Sequence, residues 1–292
     1  MSNADPQLAN ATGLDAAAIA RQQRRLLRAG QTPWLNELLA RRMAERLQWI
    51  KVDVREALLW QGLHGGGAAA LQARYPQARC RAVEEAALPL LEARRRFWQR
   101  RDWVEPAQLQ PGSVQLVWAS QLLHASVNPR ALMARWLELL AVDGFLMFSA
   151  FGPDSFIELR QLYDREGFGA LAPQWIDLHD LGDLLVETGY AEPVMDQERI
   201  QRSWADADSL WRDLAAIGGN LHRDRFAGLR TPRWRTRWLQ AVESLRGADG
   251  RLQLTLEFVC GHAIKPAPRL AVTAETRVSV AQLREQLRQP RR

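Results

Sequence analysis

The segment VQLVWA at residues 114–119 is apolar at five of its six positions and has no polar face to give to water. A strand of that kind has to be covered on both sides, as in a parallel sheet held between two layers of helices. The flanking pattern agrees: residues 56–60, 79–84 and 145–150 read as short strands, with 66–75, 86–100 and 130–140 as helices between them. Asn128 and Pro129 supply a cap and a first-turn proline for the helix 130–140, Pro76 stops the first helix, and Asp143-Gly144 turns the chain into the strand 145–150. Such alternation predicts a doubly wound, mainly parallel α/β sheet with helices on both faces. Its ligand crevice belongs at the carboxyl ends of the first strands.

That crevice is where WQGLHGGGAA begins, at residues 60–69, with glycines at 62, 65, 66 and 67. A glycine-rich turn from strand to helix lets backbone N–H groups approach a ligand, with a helix N-terminus behind them. An acidic residue about 20 positions further on, at the end of the second strand, then suits ribose hydroxyls. Glu84, closing RCRAVE, stands at that distance. The spacing is neither GxGxxG nor GK[ST], which argues against phosphate cradling of the P-loop kind, and such turns also serve purely steric needs.

The rest of the chain organises around this core. Residues 1–54 read as a tail followed by two helices, 55–265 as the α/β domain with a helical lid inserted at about 203–248, and 266–292 as a loose Pro- and Arg-rich tail. The helix 178–188, closed by Gly189, and an extended segment at 193–201 precede the lid; the strand 251–260 follows it, alternating as a half-exposed strand does. Trp204, Trp211, Trp234 and Trp238 read as lid core, His179 and Asp180 as caps of the helix 178–188, Asp154 as the cap of a helix after the FGP turn, and His262 as structural. Cys80 and Cys260 lack neighbours spaced for a metal and read as reduced thiols. No apolar run has the ~18 residues of a membrane span and no signal peptide opens the chain, so a cytoplasmic protein is expected.

The net charge is +6, yet only Lys51 and Lys265 among the 39 basic residues are lysines. The arginines, including Arg94, Arg95 and Arg96, are read as solvated helix faces or as a docking surface for an acidic partner. No finger, RNP-like or recognition-helix pattern accompanies them, so nucleic acid is not the expected partner.

Three stretches decide the family: residues 113–160, 176–200 and FVCGHAIKP at 258–266. The phrases FSAFGPDSF and HDLGDLLVETGYAEPVMDQE resemble FSTFGPDTL and HDLGDxLxxAGFxDPVMDxE of the malonyl-acyl-carrier-protein O-methyltransferases of biotin synthesis. The resemblance is close over about 113–200 and looser over 41–112. It implies a Rossmann-like class I methyltransferase fold: a seven-stranded, mainly parallel sheet, N-terminal helices and a helical lid. It also implies S-adenosyl-L-methionine as cofactor, an acidic acyl carrier protein as partner, and no membrane. LWQGLHGG lies over the family's LDLGCGPG: Gly62 and Gly66 keep the outer glycines, Trp60 replaces the aspartate that accepts from the cofactor's ammonium, and His64 replaces the middle glycine. Glu84 matches the ribose-binding acid, Glu105 the position that meets the adenine amino group, and Ser120 a family asparagine. His124, in place of the family's glutamine, is a candidate to grip the substrate, or else a hydrogen-bonded edge histidine; no arginine is singled out for that task. The implied reaction needs no general base, because a malonyl carboxylate is ionised at pH 7. Two rival readings remain: a catalytically inactive binding or scaffold protein on the same fold, motivated by Trp60 and His64, and, more weakly, a nucleic-acid methyltransferase.

Overall fold

The computed structural model describes residues 13–84, 102–226 and 228–268. The expected helix 86–100, the arginines at 94–96 and both terminal tails lie outside these residues.

Two helices open the described chain, α1 (Ala16–Ala29) and α2 (Trp34–Glu45). Asp15 caps α1 by accepting from the N–H groups of Ala17 and Ala18 at 2.8 and 3.1 Å, and Gly30 ends it in a left-handed conformation, φ 69°. The strands are β1 (Glu56–Trp60), β2 (Arg79–Val83), β3 (Asp102–Val104), β4 (Val114–Ala119), β5 (Leu140–Phe151), β6 (Ala191–Trp204) and β7 (Leu252–Ile264). They form one 7-stranded sheet in the order β3-β2-β1-β4-β5-β7-β6. Strands β1 to β5 run parallel to one another, and β7 is antiparallel to both β5 and β6. The order reverses between β1 and β4, which opens the crevice there.

The remaining α-helices among the described residues are α3 (Gly62–Gly65), α4 (Ala68–Arg74), α5 (Pro129–Leu139), α6 (Ile157–Glu166), α7 (Leu178–Thr188), α8 (Ala207–Ala216) and α9 (Pro232–Val242). They cover both faces. Against one face, Leu39 and Met43 of α2, Leu71 of α4, Leu159 of α6, Leu210 of α8 and Trp238 of α9 meet Leu59, Trp118 and Phe145. Against the other, Met133 and Trp136 of α5 and Leu181 and Leu185 of α7 meet Leu58, Trp60, Val117 and Phe148. Alternate residues of one strand thus serve opposite layers, which is why VQLVWA carries almost no polar side chain.

Several boundaries differ from the sequence reading. The helix expected at 66–75 begins only at Ala68, as α4, and the separate single turn α3 precedes it, because Gly66 and Gly67 take φ 77° and 91° between the two. Asp143 is not a turn into a new strand: β5 begins at Leu140 and bulges, with Asp143 at φ 62° and the β4 register shifting between Val114 and Leu116. Strand β7 is buried at every position from Leu256 to Gly261, because both faces of the sheet are covered there, Phe258 and Cys260 lying in one layer of the core and Val259 in the other. No helix among the described residues is long and apolar enough to cross a membrane. Both cysteines are free.

Candidate functional site

At the carboxyl ends of β1 and β4, Gln61 and Gln121 both adopt left-handed backbone, φ 48° and 53°. Such geometry costs about 1–3 kcal/mol per residue and concentrates at functional sites. Between them the glycine loop is folded onto itself. The N–H groups of His64 and Gly65 donate to the Gln61 carbonyl at 2.9 Å each, and that of Gly66 donates to Gly62 at 3.1 Å. The Gly67 N–H donates to the Glu37 carboxylate of α2 at 3.1 Å. Asn36 Nδ2 and Trp118 Nε1 donate to the carbonyls of His64 and Gly66 at 2.9 and 3.0 Å. The loop amides expected to approach a ligand are therefore paired inside the protein from residue 64 to 67. The glycines are sterically required instead: a Cβ on Gly65 would lie 2.3 Å from the Ser120 carbonyl oxygen, and one on Gly66 2.4 Å from Glu37 Oε2. A Cβ on Gly62 would come within 3.0 Å of the Leu59 Cβ.

His64 is buried at 7% exposure, and desolvation pushes its pKa down to about 4, opposed by a hydrogen bond to the Gln121 backbone. Glu84, also buried, follows Val83, whose carbonyl accepts from the Gln61 N–H at 2.8 Å. Ser120 is buried at the end of β4, where Ser149 Oγ reaches its hydroxyl at 3.5 Å and accepts from Gln121 N and Nε2 at 3.1 and 3.2 Å. Glu105 lies two strands out, just past β3, where its N–H meets Gln108 at 3.5 Å. Trp60 is not in this crevice. Its ring lies under α5, 6.0 Å from Trp136 and T-shaped to it, because its position in β1 faces that layer.

His124, in the segment after β4, lines a cavity of about 360 Å³. The walls are mostly rings and aliphatic chains, among them Phe151, Phe156, Tyr163, Trp175, Trp211 and Trp234. The Phe151 N–H donates to His124 Nδ1 at 3.3 Å, so the ring proton sits on Nε2. Phe151 and Trp175 lie 4.6 and 6.0 Å from the imidazole. Desolvation, with His64 nearby, lowers the His124 pKa to about 3. At pH 7 it is a neutral donor.

Three arginines border the cavity, Arg25, Arg225 and Arg230. Arg225 pairs with Asp15 at 2.5 Å, and Arg230 stacks between Phe226 and Trp234 at 4.2 and 4.4 Å. Arg25, on α1, is exposed and has no ion pair among the described residues. The N-terminal helices thus close both regions, α2 clamping the loop and α1 walling the cavity.

The other sequence-level assignments divide. Trp204 and Trp238 are core residues and Trp211 and Trp234 pack on that core; Trp211, Trp234 and Trp238 also line the cavity. The cap of α7 is Asp177, which accepts from the Asp180 N–H at 2.8 Å, so His179 and Asp180 lie inside the first turn. Asp154 does not cap α6, whose cap is Phe156 at φ 56°; its carboxylate pairs with Arg199. His262 sits within β7, paired with Met147 and Val194. Gln61, Gln121, Asn36 and Glu37 escaped the sequence reading, because nothing local marks a polar residue that becomes important through a partner on another element.

No protein-family model matches the chain. Among curated proteins it is 39% identical over 243 residues to the malonyl-[acyl-carrier protein] O-methyltransferase of Laribacter hongkongensis, spanning 78% of this chain and 82% of the relative. The protein of the same name from Gallionella capsiferriformans is 34% identical, with 78% and 83% covered, and that of Halorhodospira halophila 32%, with 87% and 90% covered. Of solved structures, a putative methyltransferase of Bacillus halodurans superposes with TM-score 0.52 at 13% identity over 77% of this chain and 99% of that one. The YcgJ protein of Bacillus subtilis gives 0.51 at 12% identity over 77% and 98%. The fold is thus that of the methyltransferases, and the chain belongs to the malonyl-[acyl-carrier protein] O-methyltransferase family.

Proposed function

We propose that this protein moves a methyl group from S-adenosylmethionine to the free carboxylate of a malonyl thioester carried by an acidic acyl carrier protein, acting in the cytoplasm. The observation that carries the reading is a cavity walled by aromatic rings with His124, from the segment just after β4, on its wall.

The residues of the crevice suit the donor. Glu84, buried at the end of β2, is the group for the ribose hydroxyls, and Glu105, past β3, the group for the adenine amine. Gly62, His64, Gly66 and Ser120 border the amino-acid end, where buried acceptor atoms of His64 and Gln121 have no protein partner among the described residues. When bound, the sulfonium supplies an activated methyl group. The protein's part is positioning. His124 Nε2–H steadies an oxygen of the acceptor without competing for a proton, since the acceptor carboxylate is already ionised at pH 7. Arg25, without an ion pair among the described residues, offers a cation at the cavity wall for the carrier-linked end. The rings exclude water, which strengthens these contacts and favours an in-line approach.

Transfer of label from methyl-tritiated S-adenosylmethionine to malonyl-coenzyme A or a malonyl carrier protein tests the reading, with a methyl ester that releases volatile labelled methanol on alkaline hydrolysis as the expected product. No label transfer together with no calorimetric heat at millimolar S-adenosylmethionine would return the chain to the inactive scaffold reading.

A further inference from the structure

Two buried polar atoms at the crevice are left without partners among the described residues: His64 Nδ1 and Gln121 Oε1. Their side chains are more than nine-tenths buried, at 7% and 0% exposure. They are neighbours in space. The Gln121 backbone hydrogen-bonds the His64 ring, and Gly65 packs on Ser120 so closely that a Cβ would sit 2.3 Å from its carbonyl oxygen.

Hydrogen-bond accounting fixes what each atom can do. Nδ1 is buried and has no partner among the described residues; in the tautomer that carries its proton on Nε2, a neutral imidazole offers it as a bare acceptor. Gln121 spends its amide nitrogen on Ser149 Oγ at 3.2 Å, which makes Oε1 the open end. Two desolvated acceptors without a donor are costly to the protein alone. A protonated primary amine answers both, because it carries three donors and a positive charge. A carboxylate or phosphate would face two lone pairs and be repelled.

We propose that His64 Nδ1 and Gln121 Oε1 form the subsite for the ammonium group of the methyl donor's amino-acid moiety, so that the histidine in the glycine loop is a ligand-binding residue rather than an obstruction. The inference rests on the donor reading above. It also assigns the acceptor role away from position 60, whose side chain is turned into the core under α5.

Calorimetric titration of the full chain with S-adenosylhomocysteine and with its deaminated analogue, which keeps the nucleoside and the carboxylate, tests this without turnover. The wild type is expected to prefer S-adenosylhomocysteine by roughly tenfold or more, the size of a charge-assisted hydrogen bond. H64F, which keeps a ring and removes the acceptor, is expected to bring the two within about twofold. Equal binding of both ligands by the wild type, or an unchanged preference in H64F, overturns the proposal and leaves the donor reading standing. Absence of binding by either ligand at millimolar concentration overturns both. Should H64F fail to fold, nitrogen-15 NMR of the wild type decides: S-adenosylhomocysteine is expected to shift the His64 Nδ1 resonance, and no shift at saturation overturns the assignment.

Discussion

Acidification is expected to destabilise this protein through two histidines, over a pH range where most carboxylates still carry their charge. His64 and His124 have folded pKa values lowered to about 4 and about 3 by desolvation, whereas an unfolded histidine titrates near 6.5. Between those values the unfolded chain binds protons that the native chain does not, so stability is full above about pH 6.5 and falls as pH drops toward the folded pKa. At pH 5 the deficit is about 1.5 pH units for His64, or about 2 kcal/mol. His124 borders the cavity and is less completely enclosed, so up to about the same amount is added, for a total of roughly 2–4 kcal/mol. At about 2–4 °C per kcal/mol for a domain of this size, the melting temperature should fall by roughly 4–16 °C between pH 7.5 and 5. The assay is the slope of Tm against pH for the wild type and for the double variant His64→Gln, His124→Gln. Whatever Tm the variant starts from, its slope should be shallower by that amount. Parallel slopes would refute the claim that these imidazoles are held neutral.

Other consequences follow from single contacts. Gly65→Ala places a Cβ 2.3 Å from the Ser120 carbonyl oxygen and should cost about 1–3 kcal/mol in chemical denaturation, whereas Gly112→Ala, with nothing within 4 Å, should show no overpacking penalty beyond its left-handed backbone. Tyr190→Phe removes a buried hydroxyl that donates to the Met133 carbonyl at 2.9 Å and joins α5 to the start of β6; a loss of about 1 kcal/mol is expected. Arg25→Glu should weaken binding of a malonyl carrier protein, more strongly at low salt, while leaving the melting temperature within about 2 °C, since Arg25 is exposed. Trp211→Ala should enlarge the cavity beside Trp234 and Trp238, whose rings stand 6.0 and 4.9 Å away, and blue-shift or quench less of the remaining tryptophan emission when an acyl ligand is added.

The sheet and the helices that cover it were legible because their signals are local. VQLVWA announced a strand buried on both faces, Asn128-Pro129 opened α5 with its side chain accepting from the Ala131 N–H at 2.9 Å, and Gly189 ended α7 in a left-handed turn, φ 105°. The place of the candidate crevice followed from the alternation of strands and helices, and the positions of Glu84, Ser120 and His124 from the ends of the strands they follow; the strand order itself came from the structure. Caps were less secure. Asp177 was missed in favour of His179 and Asp180, because several polar residues stand in a row and only backbone geometry selects one.

By itself, then, the sequence determined a doubly wound sheet, its family and the neighbourhood of its site, since hydrophobic period, capping residues and family phrases are all read within a few consecutive residues. The tertiary structure decided what the loop does. Whether its amides are open depends on Asn36 and Glu37 reaching it from α2, whether Trp60 faces ligand or core depends on which layer covers that side of β1, and the meaning of His64 depends on Gln121. The physical reason is that a hydrogen bond is satisfied or left open by whatever lies 3 Å away in space, and at the ends of neighbouring strands those partners come from distant parts of the chain.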